Sequence, residues 1–200
     1  MLNIHVIIGS TRVGRFSDKP AHWIADELAQ QRDVRSTIVD LRDHPLPFYD
    51  SPTPPARLGG QYPHASVQAF SALMATADAF VMVAPEYNHG YTAVLKNALD
   101  WLYAEWMNKP VGFISFGGAG GARAVEQLRQ VAIELQMLPI KNGLHIPVEA
   151  YLTAMQAPLP VDPEIFNRPL RARTDRVGAF RSELVKLGLV MQAARAASSV

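Results

Sequence analysis

The stretch Ile4-His5-Val6-Ile7-Ile8-Gly9-Ser10-Thr11-Arg12-Val13-Gly14-Arg15-Phe16-Ser17 decides the fold. It opens on a nearly unbroken run of branched apolar residues that stops at a glycine, the pattern of a strand covered on both faces. After a polar loop, Ala21, Ile24, Ala25 and Leu28 recur at helical spacing, with Asp26 and Glu27 on the other face. A doubly buried strand that feeds a helix is the opening of an α/β unit, because parallel neighbours need crossover connections.

The same rhythm runs along the chain. Thr37 to Leu41 reads as a second strand, Ala65 to Ala75 as a short helix, Ala79 to Ala84 as a strong third strand and Val111 to Phe116 as a fourth. Between the last two, a helix over 92–106 carries Leu95, Ala98, Leu99, Leu102 and Trp106 on one stripe, with Lys96, Asn97 and Asp100 off it. Val125, Leu128, Ala132 and Leu135 mark another helix, Leu138 to Ile146 a fifth strand, and Val177, Phe180, Leu184, Leu187 and Met191 a terminal helix. Two proline-rich stretches interrupt the pattern: His44 to His64, with six of the fifteen prolines, and a last loop at Pro158, Pro160 and Pro163. The expectation is an α/β domain with a five-stranded parallel sheet and helices on both faces.

Two hundred residues, 48% hydrophobic and 18% charged, suit one domain over 1–200. Nineteen Lys plus Arg against eighteen Asp plus Glu leave a net charge of +1, so no single-sign field points to nucleic acid or a membrane surface. The absence of cysteine excludes a disulfide framework, a thiolate zinc site and a cysteine nucleophile. No apolar run approaches the roughly twenty residues of a membrane span. Met1 to Ser10 carries neither a basic region nor a cleavage site, and a cytoplasmic location is expected.

In such sheets ligands bind beyond the carboxyl ends of the strands, where strand order reverses. Three loops leave strand ends with unusual chemistry. In the first, Gly9 to Lys19, the hydroxyls of Ser10, Thr11 and Ser17 and the guanidinium forks of Arg12 and Arg15 precede a helix N-terminus, which together suit a phosphate. The plainer reading is that Ser17 or Asp18 caps the helix and the arginines are solvated. The loop lacks the Gly-Lys-Ser/Thr ending of a nucleotide-triphosphate loop, and Gly9 and Gly14 stand five apart, which rules out Gly-x-Gly-x-x-Gly.

The second loop, Pro85-Glu86-Tyr87-Asn88-His89-Gly90-Tyr91, brings a proline, two aromatic rings and amide groups to one crevice, as a flat ring requires. Packing for the tyrosines and an ion pair for Glu86 are the alternatives. His89 has no second ligand at metal spacing, and His5, His22, His44, His64 and His145 are scattered, so no metal is expected. In the third loop, Ser115-Phe116-Gly117-Gly118-Ala119-Gly120-Gly121, bare backbone can approach a ligand or simply turn tightly. No Gly-x-Ser-x-Gly surrounds Ser115, so a hydrolase nucleophile is not supported.

Taken together over about residues 3–140, Gly9-Ser-Thr-Arg12 with Arg15, Ser17 and Lys19, Pro85-Glu-Tyr-Asn88 with Leu95-Lys-Asn-Ala-Leu-Asp-Trp101, and Ser115-Phe-Gly-Gly-Ala-Gly-Gly121 resemble the NADPH-dependent FMN reductase family. That family of flavodoxin-like proteins includes quinone, azo and chromate reductases. The resemblance implies strand order 2-1-3-4-5, and FMN held at its phosphate by Ser10, Arg12, Arg15 and Ser17. It implies that Pro85, Glu86, Tyr87 and Asn88 line the isoalloxazine and that Ser115, Gly117 and Gly118 bond its polar edge. It further implies hydride transfer from NADPH or NADH to FMN and then electron transfer to a small-molecule acceptor: a flavin, quinone, azo compound or metal oxyanion. No dedicated acid or base is implied. A homodimer or homotetramer would form through the 92–106 helix. Gly90 and Thr92 stand where many members carry Ser and Pro, which bears on flavin positioning. The proline-rich segment before His64 is long, and it could border the pocket and bear on the acceptor. The alternative is a non-enzymatic electron carrier or a flavin-binding sensor. Such carriers are commonly strongly acidic, unlike this chain. A flavin-free scaffold is a third possibility.

Overall fold

Strand β1 (Leu2–Ile8) lies between β2 (Val34–Asp40) and β3 (Ala79–Pro85), and β3 lies beside β4 (Pro110–Phe116), all parallel. The computed structural model describes residues 1–172 and 174–198. The register sets Ile8 beside Asp40 and Val83, and Pro85 beside Phe116, so the three candidate loops leave one edge of the sheet side by side. The order 2-1-3-4-5 places the reversal between β1 and β3.

Alternation within the central strands builds two cores. Leu2, Ile4, Val6, Ile8, Ala79, Val81 and Val83 face one layer, formed with α1 (Asp18–Ala29), α5 (Val148–Gln156), α6 (Glu164–Arg171) and α7 (Arg176–Ser198). Ile7, Phe80, Met82 and Ala84 face the other, formed with α2 (Ala65–Ala75), α3 (Ala93–Trp101) and α4 (Ala122–Glu134). Every residue of β3 and β4 is buried, as parallel strands covered on both faces must be. At Gly112 an added Cβ would stand 2.5 Å from Phe180 Cζ, so the missing side chain lets α7 lie down on β4. Among the described residues no helix is long and apolar enough to cross a membrane.

Three expectations change. The fifth strand is two short pieces, β5 (Leu138–Pro139) and β6 (Leu144–His145), each pairing with β4. Between them the Lys141 and Asn142 N–H groups donate to the Glu183 carboxylate (2.8 and 3.0 Å), and Arg129 donates to the carbonyls of Ile140 and Lys141 (2.8 and 3.1 Å). Side chains have replaced a ladder there. The helix expected over 92–106 ends at Trp101, with Leu102 extended, and Trp106 buries its ring beyond the helix while its Nε1 donates to Leu99 O (3.3 Å). The expected last loop contains α6, and α5 precedes it. The expected terminal helix is α7, which runs to Ser198.

The proline-rich segment is docked on α3. Asn97 Nδ2 donates to Pro47 O (2.8 Å), Asn97 Oδ1 accepts from Tyr49 N (3.0 Å), and Trp101 Nε1 donates to Pro47 O (2.7 Å). Asn97, off the apolar stripe of its helix, is therefore a clamp.

Candidate functional site

The three loops meet at the carboxyl edge. The Ser10 and Tyr87 hydroxyls are 2.9 Å apart, Glu86 N donates to Phe116 O (3.0 Å), and the Phe16 and Phe116 rings stand edge to face at 4.7 Å. A cavity of about 430 Å³ opens between Ser10, Thr11 and Arg12 on one side and Tyr87 and Thr92 on another, with Leu46 and Phe48 of the proline-rich segment as a third wall. A smaller cavity of about 310 Å³ between α1 and α6 shares only Lys19 with the three loops.

At the first loop, Gly9 N donates to Val83 O (2.9 Å), and an added Cβ would approach that oxygen to 2.8 Å. Thr92 Oγ1 donates to Gly9 O (2.5 Å) and accepts from Leu95 N (3.2 Å). The threonine thus caps α3 and ties it to the first loop, which accounts for a non-proline at this position.

Arg15 differs from the expectation. Its side chain is 4% exposed. Nε donates to Asp18 (2.7 Å), Nη1 to Ser10 O (2.7 Å) and Asp40 (2.6 Å), and Nη2 to Asp40, while Nη2 also lies 2.5 Å from Asp18 as an ion pair. Four guanidinium hydrogen bonds and the ion pair with Asp18 are made inside the protein, so Arg15 braces the loop from within instead of presenting a fork to a phosphate. Burial alone would lower its pKa, but Asp40 and Asp18 raise it. Burial pushes the Asp40 carboxyl up, and the hydrogen bond from Arg15 outweighs this to hold it below its ordinary value.

Arg12 is exposed, with its guanidinium carbon 6.0 Å from the Tyr87 ring centroid, and it forms no ion pair among the described residues. Arg42, which sequence reasoning missed, donates through Nε to Thr11 O (3.2 Å) and through Nη2 to Arg12 O. A cation just past the second strand of a doubly wound sheet is the signal that points to it. Ser17 begins α1 with helical dihedrals and no cap bond, and its Oγ is buried without a partner. The N–H groups of Phe16 and Ser17 beside it form no protein hydrogen bond among the described residues. Lys19 turns away: Nζ donates to the carbonyls of Ala154, Met155 and Ala157 (2.5, 2.9 and 2.5 Å) and caps the end of α5.

The second loop is a two-residue hairpin turn. Tyr87 N donates to Gly90 O (2.8 Å), Gly90 N to Tyr87 O (3.0 Å), and Asn88 and His89 take positive φ of 50° and 69°. The turn is clamped to the start of α4. Arg123 donates to Glu86 from its backbone N (3.2 Å) and Nε (2.6 Å), Arg123 Nη1 lies 2.9 Å from His89 Nε2, and Gln127 Nε2 donates to His89 O (2.9 Å). Burial raises the Glu86 pKa, yet Arg123 brings it below the ordinary value. The ion pair considered for Glu86 is therefore present, and sequence reasoning missed Arg123 because its partner lies on another loop. A Cβ at Gly90 would meet Gln127 Oε1 at 3.1 Å. Pro85 is buried in β3, and the Tyr87 residue is 37% exposed.

In the third loop, Gly117, Gly120 and Gly121 take φ of 149°, 65° and 75°. Ser115 Oγ donates to Gly120 O (2.8 Å) and lies 2.8 Å from His145 Nδ1, so Ser115 holds the turn from inside. Burial, with the charges of Arg129 and Arg176, lowers the His145 pKa. Gly118 has open space around its Cα, and among the described residues its N–H and that of Ala119 form no protein hydrogen bond.

This geometry combines a helix N-terminus with an unpartnered hydroxyl, a held aromatic turn and bare amides. The family model for NADPH-dependent FMN reductase matches residues 2–149. An NAD(P)H-dependent FMN reductase of Schizosaccharomyces pombe is 36% identical over 180 residues, covering 88% of this chain and 88% of that protein. An NAD(P)H:quinone oxidoreductase of Solanum tuberosum is 35% identical over 162 residues, covering 79% of this chain and 78% of the relative. Among solved structures, the flavoenzyme NAD(P)H:(acceptor) oxidoreductase FerB of Paracoccus denitrificans superposes with a TM-score of 0.67 at 23% identity, covering 93% of this chain and 98% of that one, a likeness of fold.

Proposed function

The chain belongs to the NADPH-dependent FMN reductase family and is an NAD(P)H-dependent FMN/quinone reductase, and from that premise we propose how its loops bind FMN and serve the reaction. One observation carries the assignment: the buried, unpartnered Ser17 Oγ at the start of α1, next to amides with no protein acceptor. A buried hydroxyl without a partner is costly, and a phosphate oxygen supplies the missing one. The helix dipole adds about 0.3–1 kcal/mol, and about 2 when the anion is partly buried.

In this reading Ser10, Arg12 and Ser17 hold the phosphate, and Arg15 shapes the loop through Asp18 and Asp40. Pro85, Glu86, Tyr87 and Asn88 line the isoalloxazine on a turn that Arg123 and Gln127 keep rigid. Gly117 and Gly118 offer backbone to its polar edge, with Ser115 acting through Gly120. When bound, FMN supplies a ring that accepts hydride from NADPH or NADH and passes the electrons to a small-molecule acceptor. The protein's part is to orient the rings and stabilise charge with fixed amides, so no side chain is assigned as acid or base. Residues 1–200 act as one FMN-binding domain, supported by two cores that share a single sheet. Association into a homodimer or homotetramer through α3 stays part of the reading, supported by the exposed Ala93 beside the Lys96–Asp100 pair.

Titration of the flavin-free protein with FMN tests the assignment. Ser17→Ala weakens binding about tenfold, as loss of one hydrogen bond to a charged group should. Unchanged affinity in a folded variant removes the phosphate from this loop.

A further inference from the structure

Phe48 is 79% exposed, and among the described Phe, Tyr and Trp residues the only other exposed one is Tyr87, across the same cavity. Its exposure is not that of a loose loop. The peptide on each side is bonded to one side chain, Asn97, which donates to Pro47 O and accepts from Tyr49 N. Trp101 holds Pro47 O a second time, and the Tyr49 ring packs edge to face on Trp101 at 4.9 Å. Pro47 restricts its own backbone as well. The chain is pinned immediately before and after a large apolar ring that remains in water, at the edge of a mainly apolar pocket. An aromatic held this way offers a face to a flat ligand at little entropic cost.

We infer that Phe48 is the stacking platform that selects planar aromatic acceptors, quinones above all, over compact inorganic ones. The inference rests on the reductase reading and deepens it. In the overall reaction NAD(P)H, a proton and a quinone give NAD(P)⁺ and a quinol; hydride carries two electrons and one proton, and solvent gives the second proton. A quinone has a ring face for Phe48 to meet, whereas ferricyanide has none.

The test uses the FMN-loaded protein with a naphthoquinone and with ferricyanide as acceptors. In Phe48→Ala the ratio of kcat/KM for naphthoquinone to that for ferricyanide falls about tenfold, and Phe48→Trp restores most of it. Equal losses with both acceptors overturn the platform, as does a matching fall in the anaerobic rate at which NADPH bleaches the flavin, which would assign Phe48 to the donor. Dissociation of the variant, seen by light scattering, overturns it too and makes Phe48 a subunit contact. A wild-type flavin that no nicotinamide bleaches defeats the reductase reading and this inference together. Normal bleaching with an unchanged acceptor ratio defeats the platform alone.

Discussion

The loop after β1 and the glycine-rich loop leave the same edge of the sheet and are held in shape by opposite means. Residues 9–19 are braced by a buried side chain, Arg15, whose donors reach Asp18, Asp40 and the Ser10 carbonyl. Residues 117–121 are shaped by backbone that glycine alone adopts easily, with one hydroxyl, Ser115, tying Gly120 to β4. The lesson is that a binding loop can be rigid through charge or through conformation, and the two fail under different challenges.

Arg15→Ala is the strongest way to break the comparison. It strands two aspartates and the Ser10 carbonyl, and should cost about 4 kcal/mol in urea unfolding of the flavin-free protein. A loss near that of a surface substitution would mean that the brace is dispensable. On the other side, Gly121→Ala forces a side chain into φ 75°, with its Cβ 2.6 Å from Ser115 Cβ and 2.7 Å from Phe116 N. This should cost about 2–3 kcal/mol in the same assay. A neutral result would show that the turn relaxes.

Acid separates the loops most finely. Asp40 has a folded pKa below its ordinary value, so its contribution is fully present above the unfolded aspartate pKa, about 4, and is lost as pH falls from there through the folded one. His145 is also depressed, from 6.5, so the neutral imidazole favours the fold and its contribution is lost as pH drops below 6.5 toward the folded value. The glycine-rich loop should therefore loosen first. Buried His5, pushed down to about 4, adds a slope in the same window. The readout is thus the difference between wild type and His145→Asn in melting temperature from pH 7 to 5. Parallel curves would remove His145 from the account.

Legibility divided along similar lines. The runs at Ile4–Ile8, Ala79–Ala84 and Val111–Phe116 announced central strands because both faces of each are buried. Helix α5 gave no such signal: its buried residues are the small Ala150 and Ala154, while Val148, Leu152 and Met155 stay exposed. Helix α6 is short, contains Pro169 and follows three prolines, so it read as a loop. In the site, Arg12 and Arg15 are equivalent forks on paper, and Asp40, brought up by the β1–β2 register, together with Asp18 turns Arg15 inward while Arg12 stays exposed. Asn97, Arg123 and His145 were hidden likewise, each partnered by a residue at least thirty positions away.

The sequence by itself determined the alternation of strands and helices, the strand ends where the loops emerge and the chemistry those loops carry. These properties are local, since periodicity and turn residues act over a few positions of chain. Only the tertiary structure decided which charged groups face a ligand and which face each other. A guanidinium binds the nearest acceptor in space, and that acceptor is set by sheet register and packing.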